Sequence, residues 1–315
     1  MRDQFIQRLM LMAEQNPKIM LITGDLGFGV LDDYRRRFPD QFINAGVSEQ
    51  NMTGLATGLA MEGHVVFTYS IANFVFMRCL EQIRNDAAYH DCNVNVVCVG
   101  GGFSYGALGI SHHATEDLAI MRSLPDVTVV CPCDDWEARE ATDAVARTSG
   151  VSYLRLDKSS AGDTQQPGEI FQLGTIRTLR EGHDLTLVAC GGIVEEVLRA
   201  AGELDRAGIQ CRVLSVHTLK PLDSAALESA ALETGGIVTI EEHTVHGGLG
   251  GAVAESLLDG NVRPQRFLRI GLRDGFSSIV GSQVYLRKHY RMDSAAITAA
   301  VQEMLAGKVS ETRAA

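Results

Sequence analysis

Short apolar runs rich in β-branched residues alternate along this chain with longer segments of helical periodicity. In the first half, Ile19–Thr23, Gln41–Ala45, Val65–Tyr69, Val94–Val99, Val127–Val130 and Ser152–Leu156 have the length and composition of strands. Between them Arg2–Glu14, Glu49–Met61, Phe74–Ala88, Glu116–Ser123 and Asp135–Thr148 read as helices. From Asp157 to Glu169 the chain turns polar, with Ser-Ser, Gly-Asp, Gln-Gln and Pro167, and reads as a linker. Alternation then resumes. Strands are expected at Leu185–Cys190, Cys211–Ser215, Ile237–Glu241 and Arg266–Ile270, with helices at Ile193–Ala207, Ser224–Leu232 and Leu249–Leu258 and a tail helix near Asp293–Leu305. This spacing predicts an α/β protein of two domains, each a mostly parallel sheet flanked by helices. The expected division is 1–160, a linker over 161–170, and 171–315.

Composition narrows the function classes. The chain has 315 residues, 45% of them hydrophobic, and a formal charge of −11; its mean hydropathy of +0.03 suits a globular protein with a large core. The negative charge, with no basic patch to offset it, argues against nucleic-acid or anionic-membrane partners. Local arginines still leave room for an anionic substrate. The seven cysteines are scattered through apolar runs, as buried thiols in a reducing compartment would be. Cys131-Pro-Cys133 lacks a second ligand pair at metal spacing and reads as two packed thiols at a strand end. With no signal-peptide core and no apolar run of membrane-spanning length, the expectation is a cytoplasmic protein.

Candidate chemistry concentrates at strand ends. Gly46-Val-Ser-Glu49-Gln-Asn-Met52 sets a carboxylate at a strand-to-helix turn, followed by a helix of small residues. Small neighbours let another chain or a flat ligand approach closely, and apolar surroundings favour a carboxylate that shares a proton with a ring nitrogen. Glu49 is therefore the leading catalytic candidate. The segment from Gly100 to Asp117 follows a strand, opens on three glycines and carries His112 and His113 just before a helix. Ligands gather at the carboxyl ends of parallel strands, so this loop is the second candidate, with His112 the better of its two histidines. Its glycines match neither GxGxxG nor a phosphate-binding loop. Phe74 and Phe76, with Arg78 nearby, offer a stacking surface, and their spacing allows only one to face a ligand. The Gly24-Asp25-Leu-Gly27 run ends another strand and is either a tight turn or a cofactor-facing loop. His243 and His246 have no third ligand and read as loop residues, not a metal site.

Together these segments resemble the pyrimidine-binding and C-terminal domains of transketolases over nearly the whole chain. Gly-Val-Ser-Glu-Gln-Asn-Met is similar to the family's glutamate motif, Gly-Ile-Ser-His-His to its Gly-Pro-Thr-His loop, and Gly-Asp-Leu-Gly to its early Asp-Leu turn. The resemblance implies thiamine diphosphate as cofactor. Glu49 would bond the aminopyrimidine N1′ and promote the imino form that deprotonates the thiazolium, which then carries a two-carbon ketol unit between sugars. Phe74 or Phe76 would stack on the pyrimidine, with Asp25 and Arg78 also at the cofactor. His112 and His113 would meet the substrate, His112 catalytically, and Arg155 and Arg2 would bind its phosphate.

Two departures from the family bear on the substrate. Leu108 stands where an aspartate would read a sugar hydroxyl, and Gly100 where a histidine opens the loop. A less hydroxylated or differently shaped sugar is then expected. No Gly-Asp-Gly followed by Asn, the family's diphosphate and Mg²⁺ motif, is present. The expectation is a split enzyme: a partner chain, the N-terminal subunit, supplies that motif and the magnesium, thiamine diphosphate lies between chains, and the assembly is an α2β2 hetero-oligomer. The β chain of a 2-oxo acid dehydrogenase, a deoxyxylulose-phosphate-synthase-like enzyme and a non-catalytic subunit are the alternatives.

Overall fold

The computed structural model describes residues 1–307. Its strands are β1 (Ile19–Thr23), β2 (Phe42–Asn44), β3 (Val65–Ile71), β4 (Val94–Val99), β5 (Val127–Val130), β6 (Val151–Leu156), β7 (Arg177–Arg180), β8 (Leu185–Ala189), β9 (Cys211–Ser215), β10 (Thr218–Lys220), β11 (Ile237–Thr244) and β12 (Phe267–Leu272). They form a seven-stranded sheet in the order β10-β5-β6-β4-β3-β1-β2 and a five-stranded sheet in the order β12-β11-β8-β9-β7. Pairing is parallel except for β10 on β5 and β7 on β9. Strands β1, β4 and β6 are buried along their whole length, as a parallel sheet covered on both faces requires. The expected α/β architecture is therefore present in both halves.

In the first sheet the chain runs from β1 to β2 on one side and crosses back to β3 on the other. The crevice at the carboxyl ends of β1 and β3 is thus a topological switch point, where ligands bind in open α/β sheets. Helix Glu49–Met61 packs Met52 and Ala56 beneath it, against Met20, Ile22 and Val66. Helix Arg2–Gln15 covers the sheet with Phe5, Ile6, Leu9 and Ala13.

Several elements differ from the sequence expectation, among them the following. The segment Phe74–Ala88 is not one helix but a turn of helix at Ala72–Phe76, a short helix at Leu80–Gln82 and a π-helical stretch at Ile83–Ala88. Periodicity does not register the change, because Phe76, Cys79, Ile83 and Ala87 all stay buried through it. The strand expected from Gln41 shrinks to three residues. Strand β10 leaves the second half of the chain to cover the β5 edge, with Thr218 opposite Val130, a pairing between distant segments that a local pattern does not carry. Helices Asp32–Arg37 and Gln283–His289, each under two turns, are too short to stand out.

The polar stretch after β6 is tied down. Phe171 stacks 4.3 Å from the His217 ring and 6.0 Å from Trp136. Arg177 pairs with Glu169 at 2.7 Å and Glu137 at 2.6 Å. Glu137, Cys133 and Asp134 cluster tightly, but the carboxylates are already used. Asp134 accepts the Glu137 amide as a helix cap, and Glu137 accepts from the Cys133 amide and Ser215. No described helix is long and apolar enough to cross a membrane.

A buried charge network joins the two sheets. Glu242 of β11 accepts from the Phe103 amide at 2.5 Å, from Gln283 at 2.9 Å and from Arg287, itself 2% exposed. Removing one partner of a buried pair leaves an uncompensated charge. Arg287→Met should therefore cost about 3–5 kcal/mol in urea unfolding. Adding Glu242→Gln to that variant should recover part of the loss, and a single change with no effect would contradict the role of this pair.

Candidate active site

Glu49 is the first residue of helix Glu49–Met61 and is 5% exposed. The turn before it is held by Ser48, whose hydroxyl donates to the Ala45 carbonyl at 2.7 Å. A Cβ on Gly24 would stand 3.3 Å from the Gly46 carbonyl and 3.6 Å from Glu49 Cγ, so the loops after β1 and β2 pack closely at this glycine. Asn44 stitches the same two loops. Its carbonyl oxygen accepts the Asp25 and Gly46 amides and its amide donates to Asp25 Oδ1, each at 3.0 Å. Asp25 is exposed and left-handed at φ 56°, and its carboxylate braces the turn. Behind Glu49, Thr53 and Thr57 bond back to helix carbonyls, while Gly54 and Gly58 leave one helix face bare.

Arg78 completes this corner. Its guanidinium donates to Glu49 Oε1 at 2.9 Å and lies 4.2 Å from the centroid of the Phe74 ring. Glu49 and Phe74, brought from the ends of β2 and β3, thus form one surface on which the flat Arg78 guanidinium rests. Phe76 is not part of it. That side chain is fully buried, edge-on to Tyr153, because its position on the turn points into the core.

The glycine-rich loop lies alongside. The His112 ring meets Phe74 edge-on at 5.2 Å and accepts or donates at Ser111 Oγ, 2.9 Å away. Partial burial, then the neighbouring His113, hold its pKa below the ordinary 6.5. His113 points the other way: it is 1% exposed, bonded to the Gly106 carbonyl and packed on Phe103, and so supports the loop from within. Asn73 is a further residue of this corner that no sequence motif marks. Its side-chain amide reaches the carbonyls of Ile110, Ser111 and His113 at 2.8–3.3 Å, locking the histidine loop to the turn that carries Phe74. Three carbonyls converging on one distant asparagine leave no local signal.

Arg155 does not reach this surface. It is 2% exposed, 3.3 Å from Asp157 and 3.6 Å from Asp117, and donates to the Glu242 carbonyl. The Gly101 backbone seals it, since a Cβ there would fall 1.7 Å from Arg155 Nε. The expected phosphate ligand is instead a buried link between the sheets. Arg2 is half-exposed, bonded to Asp3 at 2.9 Å, and a hydrogen bond to that carboxylate raises its pKa. His243 is buried between Asp117 and Glu241, while Glu241 accepts the Leu249 and Gly250 amides and caps the helix that follows. His246 is exposed and apart.

Comparison with known proteins identifies the family of both halves of the chain. Residues 1–163 match the model of the transketolase pyrimidine-binding domain, and residues 174–297 that of the transketolase C-terminal domain. The chain is 37% identical to an apulose-4-phosphate transketolase subunit of Phocaeicola vulgatus, over 94% of each chain. It is 36% identical to the 6-deoxy-6-sulfo-D-fructose transketolase subunit SqwH of a Clostridium species, over 96% of this chain and 94% of that one. A split-gene transketolase, solved as an inactive beta4 tetramer, superposes with a TM-score of 0.86 at 35% identity, over 98% of both chains. The Campylobacter jejuni transketolase shares the fold at a TM-score of 0.81 and 18% identity, and this chain spans 46% of it. The chain belongs to the transketolase family of thiamine diphosphate-dependent transferases, in the split form that carries the pyrimidine-binding and C-terminal domains.

Proposed function

We propose that this chain is the glutamate-bearing half of a two-chain active site that moves a two-carbon ketol unit from a phosphorylated or sulfonated ketose to an aldehyde. The observation that carries the reading is Arg78, stacked on Phe74 and hydrogen-bonded to Glu49. A planar group with N–H donors already satisfies both surfaces, so an aminopyrimidine ring fits the same pair. Thiamine diphosphate, when bound, supplies the carbon nucleophile of the reaction. The work of this chain is to stack the ring on Phe74, to hold a proton at Glu49 and to meet substrate oxygens with His112. Arg78 must yield its place on Phe74 and then serves as a cation at the rim. Asp25 acts through the turn it braces, and Asn73 positions Phe74 and His112.

The diphosphate and its magnesium ion fall to a partner subunit. Among the described residues the clustered set Cys133, Asp134 and Glu137 is bound up in structure and lies in the helix-capping network, away from Glu49. The bare Gly54–Gly58 face and the exposed Val47 and Met77 beside the site suit contact with that partner, in an α2β2 assembly within the cytoplasm. That a related split-gene chain forms an inactive beta4 tetramer supports the need for a second subunit. The sugars in the relatives' names, apulose 4-phosphate and 6-deoxy-6-sulfo-D-fructose, each carry a terminal phosphate or sulfonate anion. Exposed Leu108, in place of a hydroxyl-reading acid, suits a less hydroxylated or differently shaped sugar.

The chain alone should show no ketol transfer, with activity appearing when the partner subunit is added. Robust turnover without a partner would sink the two-chain reading. In the complex, Glu49→Gln should lower kcat about 10²–10⁴-fold while the subunits still co-elute. Phe74→Ala should weaken cofactor binding at little cost in stability, whereas Phe76→Ala should cost about 3–5 kcal/mol in unfolding. Equal effects of the two would contradict the assignment of Phe74 as the stacking ring. His112 should titrate below 6.5 when followed by NMR and so be neutral at pH 7.

A further inference from the structure

The Glu241-Glu242-His243 run of β11 belongs to the second sheet, yet it reaches the loop that carries His112. That loop leaves the first sheet after β4 and closes on itself at a narrow neck. Gly102 and Ala114 exchange two backbone hydrogen bonds there, at 2.8 and 3.0 Å, so residues 103–113 project as one loop. Strand β11 holds both sides of the neck. On one side Glu242 Oε1 accepts the Phe103 amide at 2.5 Å, and on the other the Thr244 amide donates to the Thr115 carbonyl at 2.8 Å. Glu242 presses so closely that a Cβ on Gly102 would fall 2.5 Å from its Oε1.

The inner side of the loop rests on the second half as well. The Phe103 ring is fully buried in the core of that half, stacked on Tyr290 at 5.3 Å, and His113 packs edge-on against it at 5.1 Å. The Gly106 carbonyl meets His113 Nε2 at 3.0 Å and accepts the Gly281 amide at 3.2 Å. The outer side carries His112, edge-on to Phe74 at 5.2 Å. Gln283 and Arg287 orient the Glu242 carboxylate from behind, toward the Phe103 amide. A hydrogen bond to an ionised carboxylate is about twice as strong as a neutral one. Set at the neck, it governs the tilt of every residue beyond, and a misplacement of about 1 Å at a reacting group can cost about 10²-fold in rate.

We propose that Glu242 is a positioning residue for ketol transfer: from the second sheet it holds the neck of the histidine loop and so sets His112 against the substrate beside Phe74. The C-terminal half thereby acts on the reaction through the placement of His112. For the role of that histidine, this assignment rests on the ketol-transfer reading above.

The test uses the complex with its partner subunit and compares two double variants, Glu242→Gln/Arg287→Met and Glu242→Leu/Arg287→Met. Both remove the buried ion pair, and they differ in whether position 242 accepts the Phe103 amide. The leucine pair should lose about 10–100-fold in kcat/KM with fructose 6-phosphate or 6-deoxy-6-sulfofructose as donor, while its affinity for thiamine diphosphate stays as in the wild type. The glutamine pair should recover most of that loss. A second measurement needs no turnover. Followed by NMR, His112 should titrate nearer 6.5 in the leucine pair, because a released ring leaves the partial burial and the neighbouring His113 that hold it lower. Gly102→Ala, which pushes the carboxylate off the amide without altering either charge, should move His112 the same way, and it serves where the leucine pair does not fold. Equal activity loss in the two double variants, a parallel loss of cofactor affinity, or an unmoved His112 titration overturns the positioning role. A moved titration in a complex whose wild type transfers no ketol from either donor keeps the hold of Glu242 on the loop and overturns the ketol-transfer reading instead.

Discussion

A carboxylate that is nearly all hidden at the end of a sheet must have a partner, and that requirement organises this corner of the molecule. Glu49 meets it with the Arg78 guanidinium, and Arg78 in turn needs the Phe74 face. Three strand ends must converge for this: β1 through Gly24, β2 through the turn before Glu49, and β3 through the turn that carries Phe74. Asn44 bonds the loop after β2 to the loop after β1, and Asn73 ties the turn after β3 to the histidine loop after β4. The surface that satisfies an arginine is also the one proposed to take a ring cofactor, so the packing problem and the proposed binding share one solution.

The second constraint is charge buried between the sheets. Arg155 balances Asp117 and Asp157, Arg287 balances Glu242, and the Glu242 carboxylate grips the amide of Phe103 at the root of the glycine-rich loop. The histidine loop is thus anchored from the second sheet although it belongs to the first. Two halves joined this way fix the loop more rigidly than apolar contact alone, because each charge is left unpaired if the halves separate. Arg155 and Arg287 thereby tie the two sheets together.

Much of this was legible from the chain alone. Alternating strand and helix patterns, with fully apolar strands, require parallel sheets covered on both faces, and motifs at Glu49 and His112 fall where such sheets place their sites. Local patterns did not reveal the break after Phe76, because the residues on either side of it keep one buried face. They also did not reveal β10, three residues whose pairing partner lies nearly ninety positions earlier in the chain by the Thr218–Val130 register.

What the sequence determined by itself was the fold class, the family and the acid at its centre, since these depend on periodicity and on short motifs that stay contiguous. What only the tertiary structure decided was which of several like residues faces outward. Phe74 and not Phe76 is open, and His112 and not His113 lines the surface. Neighbouring residues of one type are chemically equivalent in a sequence. They separate only when a turn sends one side chain to solvent and the other to the core, and that choice is made by the distant strands packed around them.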